Sequence, residues 1–361
     1  MRYRSTTLDD RSMLEILESR RFCDATFGNA VDWNDVAYAA DGTVHMAYYD
    51  SVGKNLRYAT KAAGGDWGPS VLIDSAGDVG SYCSIAVASD GTVGISYYDA
   101  TNSSLKYAKK VATWTLQEVD TVVSLYTSLA FQSNGTPLIS YYDGTGDNLK
   151  LAHGLSGGTN WTNKYTIDSA GDVGRHTSLA INPTNGRWGI AYESTTNSRV
   201  KYAEQTSSSI NTFSTAIVQT TTGGAAGISL AFKVTSVTEP GITFYDAGPA
   251  NLRYAFRVSG TWTGLNVATT GATGLSSNLW YNPANDKANI VYFDKKSGSV
   301  VRATEGTTPN TFALTTLQTN GGRNVSAAFG NPTDSLTTND TIVFTYNTLG
   351  GTSLSVDEVA I

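Results

Sequence analysis

Three sets of residues in this chain have the types and spacing to do chemistry. The first is a column that closes aromatic-rich segments such as YYD and FYD: Asp50, Asp99, Asp143, Ser194, Asp246, Asp294 and Thr348. A ring of carboxylates invites an acid–base or metal reading. Catalysis, however, does not need one such group in every copy, nor would it tolerate Ser and Thr as replacements. What Asp, Ser and Thr share is the ability to bond their own backbone two positions on, so the column reads as turn-forming. The second set is the loop DSAGDVG, present verbatim at 74–80 and again at 168–174. Its carboxylate pairs, Asp74 with Asp78 and Asp168 with Asp172, offer Ca²⁺ ligands, but their spacing departs from the D-x-D-x-D-G calcium loop. A plain turn is the leading expectation, and no other cofactor is expected.

The third set is defined by where the repetition fails. Two residues before a Ser-rich column stand Trp33, Tyr82, Tyr126, His176, Gly227, Ser276 and Asn324. Arg175 and Arg323 flank this series. In the column where most copies keep a second aromatic (Tyr49, Tyr98, Tyr142, Tyr245, Phe293), one copy has Glu193 and another Asn347. Rings on one side and small or polar groups on the other suit a sugar, whose C–H faces stack on rings. Arg or carboxylate groups would then fix its hydroxyls or an acidic substituent. The competing reading is that the tyrosines only plug an opening.

These columns exist because one unit is written seven times. The copy at 84–108 reads SIAVASDGTVGISYYDATNSSLKYA: a small-residue strand, an Asp-Gly turn, a strand ending in aromatics, and a short loop into LKYA. Asn134-Gly135 and Asn185-Gly186 supply the same turn, with residues that tolerate positive φ. A fourth segment opens with Trp67, Trp114, Trp161, Phe213, Trp262 or Phe312, aromatics expected to pack between neighbouring units. A period of about 50 residues with four strands per copy predicts an all-β fold, a seven-bladed β-propeller of four-stranded blades. In the second blade the strands are expected at 84–89, 93–98, 105–109 and 114–119. The last copy ends after three strands, so the segment at 20–27 is expected to supply its outermost strand and close the ring. On a propeller the loops from the fourth strand to the next blade, and those between the second and third strands, open on one face. Trp33, Tyr82, Tyr126 and His176 should therefore surround one mouth of the central channel. Trp188 and Trp280 fall toward the opposite face, where packing is expected. The serines of the inner strands are read as small packing residues without a catalytic role.

Residues 6–19, TTLDDRSMLEILES, are the one good helix, with a capping-box-like start and an apolar side. The domains are thus expected to be an N-terminal helix or linker over 1–19 and the propeller over 20–361. The helix serves as a docked cap, a linker or a neck for a homo-oligomer.

With 25 Lys and Arg against 31 Asp and Glu, the net charge is -6 and the basic residues form no run. Nucleic acid and anionic membrane surfaces are therefore not expected as partners. No apolar stretch has membrane-spanning length, and the first residues lack the apolar core of a signal peptide. The two cysteines, Cys23 and Cys83, are expected to be unpaired. The abundance of Gly and Tyr with few charged residues suits an extracellular, cell-surface or particle-surface protein, and the chain is expected to be part of a particle or a domain of a longer protein, with a cytoplasmic protein or export by another route as the alternatives.

The layout S-I-A-V-x-S-D-G-x-V-x-I-S-Y-Y-D-x-x-x-x-x-L-K-Y-A runs through the chain after residue 34. It resembles the tandem-repeat propellers of bacterial secreted and surface proteins, including propeller lectins and adhesin tips. Its strand–DG–strand–D–x–x–N order is also similar in layout to the NHL repeat. The resemblance implies a non-catalytic module that binds a cell-surface glycan or polysaccharide at the channel mouth, through Trp33, Tyr82, Tyr126, Arg175, His176, Glu193, Arg323 and Asn324. The alternatives are a propeller glycoside hydrolase or polysaccharide lyase, with Glu193 or His176 and Tyr126 as acid–base groups and Arg175 and Arg323 as a clamp, or a protein-binding or fibre-tip assembly module.

Overall fold

The computed structural model describes residues 25–27, 31–234, 239–269, 273–322, 324–330, 341–347 and 354–360. The expected N-terminal helix lies outside them. The strands form seven separate four-stranded antiparallel sheets, in six of which strand order follows sequence order. Blade two shows the pattern: an inner strand Val79–Val87, then Val93–Asp99, Ser104–Lys110 and the outer strand Trp114–Asp120. Three of these strands match the sequence expectation within a residue. The inner strand instead begins five residues early, because it continues through a bulge that the repeat pattern does not reveal.

The seventh sheet is closed by the other end of the chain. Ala25–Phe27 pairs antiparallel with Leu354–Ala360, with Phe27 opposite Leu354. The Phe27 side chain is buried with Tyr48 and Trp67 at ring distances of 6.1 and 5.5 Å. The first strand thus pairs the free edge of blade seven and also joins it to blade one.

Neighbouring blades are held by three repeated devices. Apolar clusters span each junction, as where Leu56 and Tyr58 of blade one meet Ile85 and Ile95 of blade two. The outer-strand aromatics belong to these cores, with Trp114 against Tyr58 at 4.9 Å, Trp161 against Tyr107 at 5.0 Å and Trp262 against Tyr202 at 5.3 Å. Trp188 is buried, with its indole donating to Ile210 O, and Trp280 stacks on Phe329.

The second device is the inner-strand serine column, which has more than a packing role. Ser84, Ser128, Ser178 and Ser229 each accept a hydrogen bond from the next blade's inner-strand amide, at Leu129, Leu179, Leu230 and Leu279. Asn278 donates to Val325 O, and Ser326 accepts from Val36 N. Asp35 replaces the serine of blade one and bonds both neighbours, Ser326 on one side and Ser84 and Ile85 on the other.

The third device is an ion cluster. Asp74, Asp120 and Asp168 end the outer strands of blades one, two and three. They accept from Tyr97, Tyr141 and Tyr192 of the following blade, at 2.8, 2.6 and 2.7 Å, and pair with Lys106, Lys150 and Lys201.

Candidate functional site

The inner strands enter each blade through the residues that break the repeat. Register shifts interrupt pairing between Ser81 and Ser84, Leu125 and Ser128, Arg175 and Ser178, and Ala226 and Ser229. At these bulges, and at the matching position of blade seven, Tyr82, Tyr126, His176, Gly227 and Asn324 all have left-handed backbone, with φ between +51° and +57°. A bulge of this kind re-aims one side chain out of the sheet. Here it brings the series together: Trp33, Tyr82, Tyr126, His176, Gly227, Ser276 and Asn324 all line one cavity of about 300 Å³ in the channel, with Asp35 beside them.

The rings follow one another in tilted and edge-to-face contact from blade one to blade four. Trp33 and Tyr82 are 4.6 Å apart, Tyr82 and Tyr126 4.9 Å, and Tyr126 and His176 4.4 Å. Tyr49 extends the arc behind Trp33, and Tyr142 flanks Tyr126. The expected one-sided crescent is therefore present as geometry. Its polar edges are unused. Among the described residues, the Trp33 indole nitrogen, the Tyr82 and Tyr126 hydroxyls and the His176 ring nitrogens have no hydrogen-bond partner. The tyrosines one strand further out, Tyr97, Tyr141 and Tyr192, each have one. Burial raises the Tyr82 and Tyr126 phenols above their ordinary value, and burial with the nearby Arg175 charge lowers His176 to about 4. At neutral pH the arc is uncharged.

The charged candidates are tied into the fold. Arg175 donates two hydrogen bonds to Asp172, at 3.2 and 2.9 Å, and its guanidinium lies 5.2 Å from the Tyr142 ring centre. Glu193 is buried and accepts from Ala225 N at 2.9 Å, at the start of the inner strand of blade five. That approach needs Gly224, whose φ is +96° and where a Cβ would stand 2.9 Å from the Glu193 carboxylate. Burial holds the Glu193 carboxyl above its usual range, against the pull of that amide and of Arg175. Asn324 uses its carbonyl to receive Asn34 Nδ2, and Arg323 lies outside the described residues. The repeat pattern did not single out Asp35 as a site residue. The signal was there, because it is the one acidic residue in the serine column.

The remaining carboxylates have structural partners. Asp50 and Asp143 accept amides two and three residues ahead, at Val52 and Gly53 and at Thr145 and Gly146, as turn-formers do. In the repeated loop, Asp74 and Asp168 are engaged by Lys and Tyr, Asp78 by Tyr49 and Lys54, and Asp172 by Arg175. Among the described residues no group of three or more His, Cys, Asp or Glu is placed to hold a metal ion. Cys83 is free and buried beside the cavity. No helix among the described residues is long and apolar enough to cross a membrane.

The chain is a seven-bladed β-propeller. No protein-family model matches its sequence, and no curated protein is similar to it. Solved structures do share the fold. A polysaccharide lyase, Uly1, is 10% identical with a TM-score of 0.55, over 92% of this chain and 90% of the lyase. A fungal alcohol oxidase of the AA5 family, in complex with copper, is 10% identical with a TM-score of 0.58, over 93% and 75%. AofleA from Arthrobotrys oligospora is 12% identical with a TM-score of 0.52, over 94% and 90%. At such identities the likeness is one of architecture, and function has to be argued from the site.

Proposed function

We propose that this propeller is a recognition module that binds carbohydrate of a cell surface at the channel mouth, without catalysis. The observation that carries this reading is the state of the arc. Tyr82, Tyr126 and His176 occupy left-handed backbone positions that blade five fills with Gly227. Such a conformation costs an L-residue about 1–2 kcal/mol, and bulky residues there are uncommon. Strain of this kind clusters at ligand sites. A plug would gain most by bonding its polar edges internally, whereas these stay open toward a cavity at the lower end of the usual ligand-site size. Aromatic faces with free N–H and O–H groups match a sugar ring. The carbohydrate chemistry named for the similarly folded polysaccharide lyase supports the same ligand class.

The test is a broad glycan array, including bacterial surface polysaccharides, probed with the parent and with the Trp33→Ala/Tyr126→Ala variant. Binding by the parent that the variant lacks, at a nearly unchanged melting temperature, is the expected result. Binding that survives in the variant would reduce the arc to packing. Turnover of a bound oligosaccharide that Glu193→Gln abolishes would replace this reading with a hydrolase or lyase.

A further inference from the structure

The channel cavity also has a sign. Among the described side chains that line it, only Asp35 is an acid or a base besides the rings, the Cys83 thiol and His176, and burial keeps His176 neutral at neutral pH. Two basic groups near the rim are paired with acids. Arg175 is held by both oxygens of Asp172, and Lys54 is paired with Asp78 at 3.0 Å. Lys295 and Lys296 stand exposed in the loop after the second strand of blade six, while Glu193 is itself acidic and is bonded to a backbone amide. Asp35 likewise has only hydrogen-bond donors around it: Ser84 and Ser326 hydroxyls and the Val36 and Ile85 amides, at 2.7–3.0 Å. These orient and fix its carboxyl group beside the ring arc. Burial raises the Asp35 carboxyl above its ordinary range, against the pull of those four donors. A cation arriving in the cavity favours the ionised form and would draw the carboxyl back down.

Trp and Tyr rings beside a carboxyl group with no cationic partner among the described residues can attract cations in two ways. The ring quadrupoles draw an ammonium group to their faces, and that attraction grows when the site is desolvated. The carboxyl group, once ionised by an arriving cation, adds a short-range attraction that salt screens. An acidic sugar placed in the same cavity would meet Asp35 with no cation among the described lining residues to receive its carboxylate.

We infer that the channel mouth selects sugars bearing an ammonium group, such as glucosamine units, over N-acetylated, neutral and acidic sugars, through the Trp33–Tyr82–Tyr126 arc beside Asp35. This rests on the carbohydrate reading and narrows it to one ligand class. The serine-column position of Asp35 accounts for its hydrogen bonds, but a serine there would make the same kind of link, as it does in Ser84, Ser128, Ser178 and Ser229.

The experiment is calorimetric titration of the whole chain with a glucosamine oligosaccharide, its N-acetylated counterpart and an oligogalacturonate, just below neutral pH where the amine is protonated. The expected result is about tenfold tighter binding of the amine than of the N-acetyl form, the size of one desolvated cation–π contact. Oligogalacturonate should be the weakest of the three. Raising the salt should weaken the amine ligand selectively. Asp35→Asn should erase the preference. Because that variant also disturbs the link between blades, Trp33→Leu is measured beside it and should reduce the preference severalfold with Asp35 in place. Equal binding of amine and N-acetyl forms, or preference for the acidic oligomer, would overturn the charge selection and leave the carbohydrate reading standing. No binding of any of the three, together with a silent glycan array, would overturn both.

Discussion

Replacing Tyr126 by Ala and by Gly tests whether the rings are held against the preference of their own backbone. Both substitutions remove the same contacts, to Tyr82 at 4.9 Å and to His176 at 4.4 Å. Two close aromatic pairs contribute about 0.5–1.5 kcal/mol each, so each variant should lose about 1–3 kcal/mol relative to the parent. The variants differ only in the backbone. At φ +53° Ala keeps a strain of about 1–2 kcal/mol that Gly does not have. The more flexible unfolded chain of the Gly variant returns about 0.4–1 kcal/mol in the opposite direction. Gly should therefore be the more stable variant by about 0.5–1 kcal/mol, which reverses the usual order in strands.

The assay is differential scanning calorimetry of the two variants beside Glu118→Ala and Glu118→Gly, in the exposed outer strand of blade two. With about 2.1 cal/mol/K of unfolding entropy per residue, 1 kcal/mol corresponds to roughly 1 °C in a chain of this size. The Tyr126→Gly variant should melt above Tyr126→Ala by about that much, while Glu118→Ala should melt above Glu118→Gly. The same order at both sites would refute the claim that the arc sits on strained backbone, and with it the argument that carries the proposed function. Both Tyr126 variants should lose glycan binding equally, since the ligand loses the same ring in each.

The ion clusters between blades give a pH prediction with a definite sign. Burial pushes Asp74, Asp120 and Asp168 up, but Lys106, Lys150 and Lys201 with Tyr97, Tyr141 and Tyr192 outweigh it and leave all three carboxyls below their ordinary value. Their stabilisation is complete above the ordinary carboxylate range and is lost as pH falls through the lowered values, so the melting temperature should be level near neutrality and drop in acid. Replacing the three lysines by Met should flatten that drop, and an unchanged acid limb would count against the clusters as its cause. Asp120→Ala leaves Lys150 and the Tyr141 hydroxyl without their main partner and should cost about 2–4 kcal/mol by urea unfolding, tempered by Asp143 at 3.6 Å from Lys150. A loss no larger than that of Glu118→Gln would show the pair to be idle. Phe27→Ala should cost about 3 kcal/mol and expose the edge of blade seven, read as faster proteolysis between blades seven and one and as aggregation on warming; parental resistance would mean that the closing strand holds without its side chain.

The architecture was legible because each strand is written nearly the same way seven times. Asp-Gly and Asn-Gly turns, the YYD endings and the outer-strand Trp mark their positions from residue type alone, and the truncated last copy pointed to the chain's own beginning as the missing strand. The bulge was not legible. Tyr82 and Tyr126 are residues that ordinarily avoid positive φ, so nothing in their identity announces it, and only Gly227 and Asn324 in the same column carried a hint. The serine column misled for a related reason. Ser is small, which explains its packing, and its use as an acceptor for the next blade's amide appears only when neighbouring strands are brought together. Glu193 stood out as a break in an aromatic column, yet it is bound by the Ala225 amide, a backbone group that no side-chain pattern can show.

The ring is not uniform, and its asymmetry runs parallel in two places that sequence alone would treat as separate. Asp–Lys–Tyr clusters fasten the junctions between blades one and two, two and three, and three and four. At the next two junctions the corresponding outer strands end in Thr220 and Ala268; the first has Phe244 in place of the Tyr with Arg253 at the Lys position, and the second keeps Tyr292 but has Val301 in place of the Lys. The aromatic arc occupies the same blades, one to four. Rings in contact across three junctions keep their spacing only if those junctions do not shear, and a site gains affinity when its contacts are fixed before the ligand arrives. The buried ion clusters are weak sources of net stability compared with well-packed apolar groups. Their coincidence with the arc predicts a second role, the rigid registration of Trp33, Tyr82, Tyr126 and His176. That role separates from plain stability by experiment: replacing Asp120 and Lys150 by apolar residues together with Tyr141→Phe, which removes the hydroxyl that Asp120 satisfies, should leave the melting temperature nearly unchanged and still weaken glycan binding severalfold, and a triple variant that binds like the parent would sever the two.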